Sequence, residues 1–315
     1  EEPAAERGIV GELRGDEEGM EAYSLPVKRE DMKIVSLALL GRSIHEVYSN
    51  ARIDVAVARQ SAEAMMLMST DVTEIFSPER VASVCKEFGL KPGMSMDIKS
   101  GYDFDKKEDR DRCWESIERD KPSIVIGSPP CTLFSKLQEL NKFMYKDNRM
   151  WMLKFQERME QAKRYVEFCA KVYQYQIDNN RYFLHEHPYL ATSWGLSCIE
   201  KLMAREDVTR TLTHMCQFGM TSNIGGKGSE LGPVLKPTGF MTNSPCIASQ
   251  LARVCPGDHK HVHLVGGRAA GAAIYPPGLC GAICRGLAAQ LHEDRIGRVR
   301  SLAMNENRLL LFSMA

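Results

Sequence analysis

The chain has no Cys-x-x-Cys pair, no run of about 18 apolar residues and no net charge, and each absence removes a class of function. Ten cysteines stand singly, as Cys85, Cys113, Cys131, Cys169, Cys198, Cys216, Cys246, Cys255, Cys280 and Cys284. With neither paired spacing nor a secretory leader, they read as thiols of a reduced, intracellular protein rather than as a disulfide framework. The missing apolar run leaves no membrane-spanning helix to expect. Lysine plus arginine equals aspartate plus glutamate at 41 each, so a nucleic-acid partner would have to be held by a local patch and not by the field of the whole molecule. Internal repeats and low-complexity tracts are also lacking.

What is present suits a globular fold. With 315 residues, 43% of them hydrophobic, the chain can bury a sizeable core as one large domain, or as one domain with a small appendage. It opens on Glu1, as a segment of a longer protein would. Residues 1–30, rich in Glu, Gly and Arg, predict a weakly ordered lead-in, and 31–70 a helical extension in which Met65, Met66 and Met68 pack. From 71 to 295 short apolar runs alternate with helical periodicity, which predicts an α/β domain with a largely parallel sheet.

Strands are expected at Val72–Phe76, Met94–Ile98, Ile124–Ile126, Tyr182–Leu184, Thr211–Phe218 and Phe240–Thr242. Helices are expected from Val81 to Phe88, ended by Gly89, then over Lys106–Asp120, Ile199–Ala204 and Leu279–Leu291. No Gly or Pro occurs between Asp147 and Asn179, where Phe155, Met159, Ala162, Val166, Cys169 and Tyr173 step by four and three, so one long amphipathic helix is expected there. Residues 219–265 read as a loop-rich insertion and 296–315 as a C-terminal tail.

The apolar run Ser123–Gly127 empties into Ser128-Pro129-Pro130-Cys131-Thr132, with Phe134-Ser135 beyond. Two prolines stiffen the loop and present one thiol at a strand end, which suits nucleophilic chemistry as well as it suits a buried structural cysteine. A second strand runs into His185-Glu186-His187-Pro188. Glu186 there reads either as a chemical carboxylate or as a cap on the next segment of the chain. Neighbouring residues of an extended segment point to opposite faces, so the two histidines and Glu186 divide between them. His185 reads as a core histidine, and a cysteine hydrolase pairing Cys131 with His185 or His187 is a further reading.

Gly-Ser-Pro-Pro-Cys131-Thr-Leu-Phe-Ser135 followed by a strand-end Glu186 resembles the cytosine-C5 DNA methyltransferases. The pairing of Ser-Pro-Pro-Cys with His-Glu-His-Pro is also similar to methyltransferase-like segments of retroelement polyproteins. The resemblance implies a Rossmann-like, doubly wound sheet of the class I methyltransferase type over 71–295. It implies Cys131 as nucleophile at C6 of a cytosine and Glu186 on the ring edge, with S-adenosylmethionine as methyl donor and DNA, ahead of RNA, as substrate. Phe76, Ser77, Asp97, Asp103, Ser128 and Pro129 then correspond to cofactor-binding positions, and Ser135, His187, Lys236 and Thr238 to substrate-binding ones. An enzyme acting on DNA would be nuclear. The alternative is a catalytically inactive module of a polyprotein that binds nucleic acid or a protein partner.

The chain departs from the family pattern in places. Ile75-Phe76-Ser77-Pro78-Glu79-Arg80 has no glycine where the family has its glycine-rich turn, and Lys236 stands in a loop where an arginine is usual. Glu186-His187-Pro188 replaces Glu-Asn-Val, leaving the asparagine that holds the catalytic loop without a counterpart. The Tyr275-Pro276-Pro277 region resembles the closing motif that packs beside the cofactor site. In Cys255-Pro-Gly-Asp-His259-Lys-His261-Val-His263, Cys255 with two of the three histidines is a weak zinc candidate, but with no second ligand pair an exposed polar loop and no metal is the expectation.

Overall fold

A computed structural model describes residues 9–12, 23–26, 69–224, 230–264 and 271–313, and the contacts divide the chain into Glu1–Ser69 and Thr70–Ala315. In the first unit, β1 (Ile9–Glu12) pairs antiparallel with β2 (Tyr23–Pro26), where composition alone predicts a weakly ordered lead-in. The helical extension expected over 31–70, with its methionines, falls outside the described residues apart from its last two positions.

The second unit is an α/β domain built on a six-stranded mixed sheet. Its strands are β3 (Val72–Ile75), β4 (Pro92–Met96), β5 (Ile124–Gly127), β6 (Tyr182–Pro188), β7 (Thr209–His214) and β10 (Pro237–Thr242), ordered β4-β3-β5-β6-β10-β7. The β3–β4, β3–β5 and β5–β6 pairings are parallel, whereas β10 runs antiparallel to both β6 and β7. This sheet is compatible with a Rossmann-like fold. A small antiparallel pair, β8 (Thr221–Asn223) and β9 (Leu231–Pro233), occupies the stretch expected to be loop.

Strand alternation sorts the core into two layers. Val72, Ile124, Ile126, Leu184 and Phe240 face α1 (Val81–Val84), α6 (Pro245–Leu251) and α7 (Pro277–Ser313). Ile75, Val125, Phe183 and Met241 face α2 (Lys107–Asp120), α4 (Arg149–Asp178) and α5 (Ser197–Met203). A separate short helix, α3 (Leu137–Met144), comes after the Pro-Pro-Cys loop; its Leu137, Leu140 and Phe143 are exposed. Among the described residues no helix is long and apolar enough to cross a membrane.

Several boundaries differ from the sequence reading for physical reasons. The first helix is a single α turn continued as a 3-10 turn over Cys85–Phe88, closed by Gly89 at φ 72°, which a Cβ would strain. Strand β6 runs on to Pro188 because β10 pairs with it through His185, Glu186 and His187. Strand β10 begins at Pro237, so it takes in Thr238. The tail expected over 296–315 is helical as far as Ser313, continuing α7.

Candidate functional site

The strand order reverses direction at β3 and β5, and in open α/β sheets the crevice at the carboxyl ends of such strands is the usual place for a ligand. Three segments bring chemistry to that end of the sheet. Cys131 lies half-buried in the loop after β5, Glu186 sits within β6 at 7% exposure, and Lys236 immediately precedes β10. The Lys236 ammonium lies 3.6 Å from Glu186 Oε1 and donates to the Ala272 carbonyl at 2.9 Å. Burial raises the Cys131 thiol above its ordinary pKa, the Glu186 carboxylate raises it further, and the Lys236 ammonium draws it down. Thiol, carboxylate and ammonium thus form one electrostatic cluster.

His187 braces the loop that carries the thiol. Its ring is fully buried, with Nε2 3.0 Å from the Pro129 carbonyl and Nδ1 2.5 Å from Ser193 Oγ. A carbonyl only accepts, so the proton sits on Nε2, and Nδ1 accepts from the serine hydroxyl. Burial depresses its pKa, in keeping with a neutral ring. With both nitrogens committed to the protein, His187 is a positioning residue and not the substrate contact expected of it.

The neighbouring His185 is also fully buried. Its Nδ1 lies 3.0 Å from Tyr173 Oη and its ring meets Trp194 edge-on at 5.4 Å, while Nε2 has no hydrogen-bond partner. Desolvation first, then His187 and Arg210, push its pKa well below the ordinary value. Tyr173 reaches it by passing over Gly127, where a Cβ would overlap the phenol oxygen. The core reading of His185 therefore fits its surroundings, and the hydrogen bonds of both histidines run to groups other than Cys131.

The remaining predicted positions make contacts of their own. Ser128 Oγ is 2.6 Å from Tyr275 Oη, which ties the strand end to the segment preceding α7. Asp97 Oδ1 accepts from Lys99 N at 3.0 Å and caps a 3-10 turn over Ile98–Ser100, while Asp103 accepts from Asp105 N and pairs with Lys106 at 3.6 Å. Phe76 adopts φ 56°, a left-handed conformation unusual for a bulky residue, and its ring stacks on Phe104 at 4.1 Å. Buried Ser77 donates to Glu74 Oε2 and to the Pro78 carbonyl. Ser135 Oγ accepts from Leu137 N at the start of α3, and buried Thr238 donates to the Lys236 carbonyl, so both shape backbone beside the cluster.

Glu74 is the residue that the sequence reading missed. Fully buried at the centre of β3, it accepts from the backbone N–H groups of Arg80 and Ala82 at 2.9 and 3.0 Å, and from Ser77. Burial raises its pKa against these donors. The signal was a lone charge inside the apolar run Val72-Thr73-Glu74-Ile75. Ser193, the partner of His187, carries no such mark in the sequence. Searches of protein-family models, curated proteins and solved structures give no match to this chain.

Proposed function

We propose that the chain is a divergent S-adenosylmethionine-dependent cytosine-C5 methyltransferase acting on DNA. The observation that carries this reading is the convergence of Cys131, Glu186 and Lys236 from three separate segments at the carboxyl end of the sheet. In the proposed reaction the Cys131 sulfur adds to C6 of a cytosine while Glu186 hydrogen-bonds the ring edge, so electron density moves to C5. Lys236 holds Glu186 and favours the thiolate over the thiol. A base in a duplex would have to be turned out of the stack to reach them, at a cost of a few kcal/mol. The sheet order, with β10 antiparallel between β6 and β7, is compatible with the Rossmann-like arrangement this reading requires.

This reading assigns the adenosine side of the methyl donor to residues that follow β3 and β4. On this reading Asp97, just after β4, would meet a vicinal diol, and the partly exposed ring of Phe76, stacked on buried Phe104, would supply an aromatic face. The positive φ of Phe76 gives the turn after β3 a bend that glycine would otherwise supply. When bound, S-adenosylmethionine supplies an electrophilic methyl group.

A second reading, an inactive polyprotein module that binds nucleic acid or a protein partner, is favoured by Glu74. Its carboxylate already occupies the N–H groups at the start of α1 that a ligand carboxylate would otherwise use. Calorimetric titration with S-adenosylmethionine and its demethylated product, on the wild type and Asp97→Ala, separates the two. Binding that weakens at least tenfold in Asp97→Ala, with methyl transfer to an oligonucleotide abolished in Cys131→Ser, supports the enzyme. Nucleic-acid binding without cofactor binding supports the module and rejects the enzyme.

A further inference from the structure

Away from the Cys131 cluster, two thiols and two imidazoles converge. Cys216 lies in the 3-10 turn Met215–Phe218 that succeeds β7, and Cys255, His259 and His261 lie in the segment after α6. Cys255 Sγ is 3.6 Å from His259 Nε2 and 3.4 Å from His261 Nε2, and all four candidate ligand atoms lie within 4.8 Å of one another. Zinc–sulfur and zinc–nitrogen bonds of about 2.3 and 2.05 Å at the tetrahedral angle put sulfur and nitrogen about 3.6 Å apart. The spacing is therefore that of ligands around one ion.

The surroundings are organised for the same end. Gly257, at φ 83°, turns its N–H onto Cys255 Sγ at 3.4 Å, and Gln217 Nε2 lies 4.0 Å from Cys216 Sγ, so each sulfur has a donor suited to a thiolate. Asp258 Oδ1 accepts from His259 Nδ1 at 2.7 Å, which fixes the tautomer that leaves Nε2 as a lone pair facing the cluster. The backbone N–H of Cys255 donates to His214 Nδ1 at 3.0 Å, pinning the loop to the end of β7.

We infer that Cys216, Cys255, His259 and His261 form a closed tetrahedral site for one zinc ion of structural type. Two thiols and two imidazoles in this geometry select zinc, and four protein ligands leave no open position for catalysis. On binding, two S–Zn bonds form and both thiol protons pass to solvent. The fourth ligand arrives from Cys216, far away in sequence, whereas His263 is exposed and does not belong to the group. The ion would clamp both neighbours of the strand leading to Lys236: Met215 N donates to the Leu235 carbonyl and Val262 N to the Pro233 carbonyl, each at 2.8 Å. This inference is independent of the methyl-transfer reading.

The test is elemental analysis of the full chain purified with reductant and without added metal, then cobalt replacement. The expected result is one zinc per chain, with visible absorption of tetrahedral cobalt and a thiolate-to-cobalt band after exchange. Cys216→Ser and His261→Ala should lower retained zinc at least tenfold, while His263→Ala keeps it. Should the variants fail to fold, release of zinc from the wild type by a thiol-specific mercurial gives the same information. Metal-free protein without a cobalt band, a Cys216–Cys255 disulfide in its place, or loss of zinc in His263→Ala alone would overturn the assignment.

Discussion

Replacing His187 tests how the loop that carries Cys131 is held. His187→Phe keeps a ring of similar size against Phe134 and Trp194 and removes both hydrogen bonds, to the Pro129 carbonyl and from Ser193 Oγ. Pro129 and Ser193 are both buried, so each is left with an unsatisfied polar group costing about 1–3 kcal/mol. The expected loss of unfolding free energy is about 2–6 kcal/mol, measured by urea denaturation with two probes to establish two-state behaviour. His187→Ala adds a cavity and should cost about 1–2 kcal/mol more. A functional readout accompanies the stability. Burial is the largest cause of the raised Cys131 pKa, so a loosened loop exposes the thiol, and its alkylation by iodoacetamide at fixed pH should speed up. A His187→Phe protein within about 0.5 kcal/mol of wild type, with unchanged alkylation, would refute the bracing role.

Alkylation also reports the charges. Below the pKa of Cys131 the rate should rise tenfold per pH unit; Glu186→Gln should raise the rate at neutral pH and Lys236→Met should lower it, and the opposite order would contradict the cluster. Buried His185 titrates well below its ordinary value of 6.5. The unfolded chain therefore binds the extra proton, and stability held above about pH 6.5 is lost as pH falls. Its share is about 1 kcal/mol between pH 6.5 and 5.5, and His185→Gln should remove that share from the pH profile of stability. Gly127→Ala should cost about 1–3 kcal/mol or more, because Tyr173 must leave its position over the strand; a neutral effect on thermal unfolding would show that the phenol is not held there.

The alternation of apolar runs was enough to read the α/β class, because the strands of the parallel part each hold a short apolar stretch and are succeeded by a helix or turn. Cys131 was legible for the same reason: prolines at the end of an apolar run mark a stiff strand exit. Helix α6 and the length of β6 were not, since Pro245–Leu251 has too few residues for a periodic signal and the end of β6 is set by the distant β10. The roles of His187 and Cys216 were hidden because their partners, Ser193 with Pro129, and Cys255 with two histidines, meet them only through tertiary contacts. Glu74 was marked by its charge, but its function as a built-in cap for α1 depends on where that helix starts.

The most direct measurement is a mechanism-based trap at Cys131. Oligonucleotides of DNA and RNA carrying 5-fluorocytosine would be incubated with the full chain and S-adenosylmethionine, then analysed by intact mass and peptide mapping. Fluorine at C5 blocks release of the adduct, so a covalent species on Cys131, absent in Cys131→Ser and formed with the DNA substrate, is the predicted result. A folded, cofactor-saturated protein that forms no adduct at Cys131 with either nucleic acid would contradict the assignment of this cysteine as nucleophile.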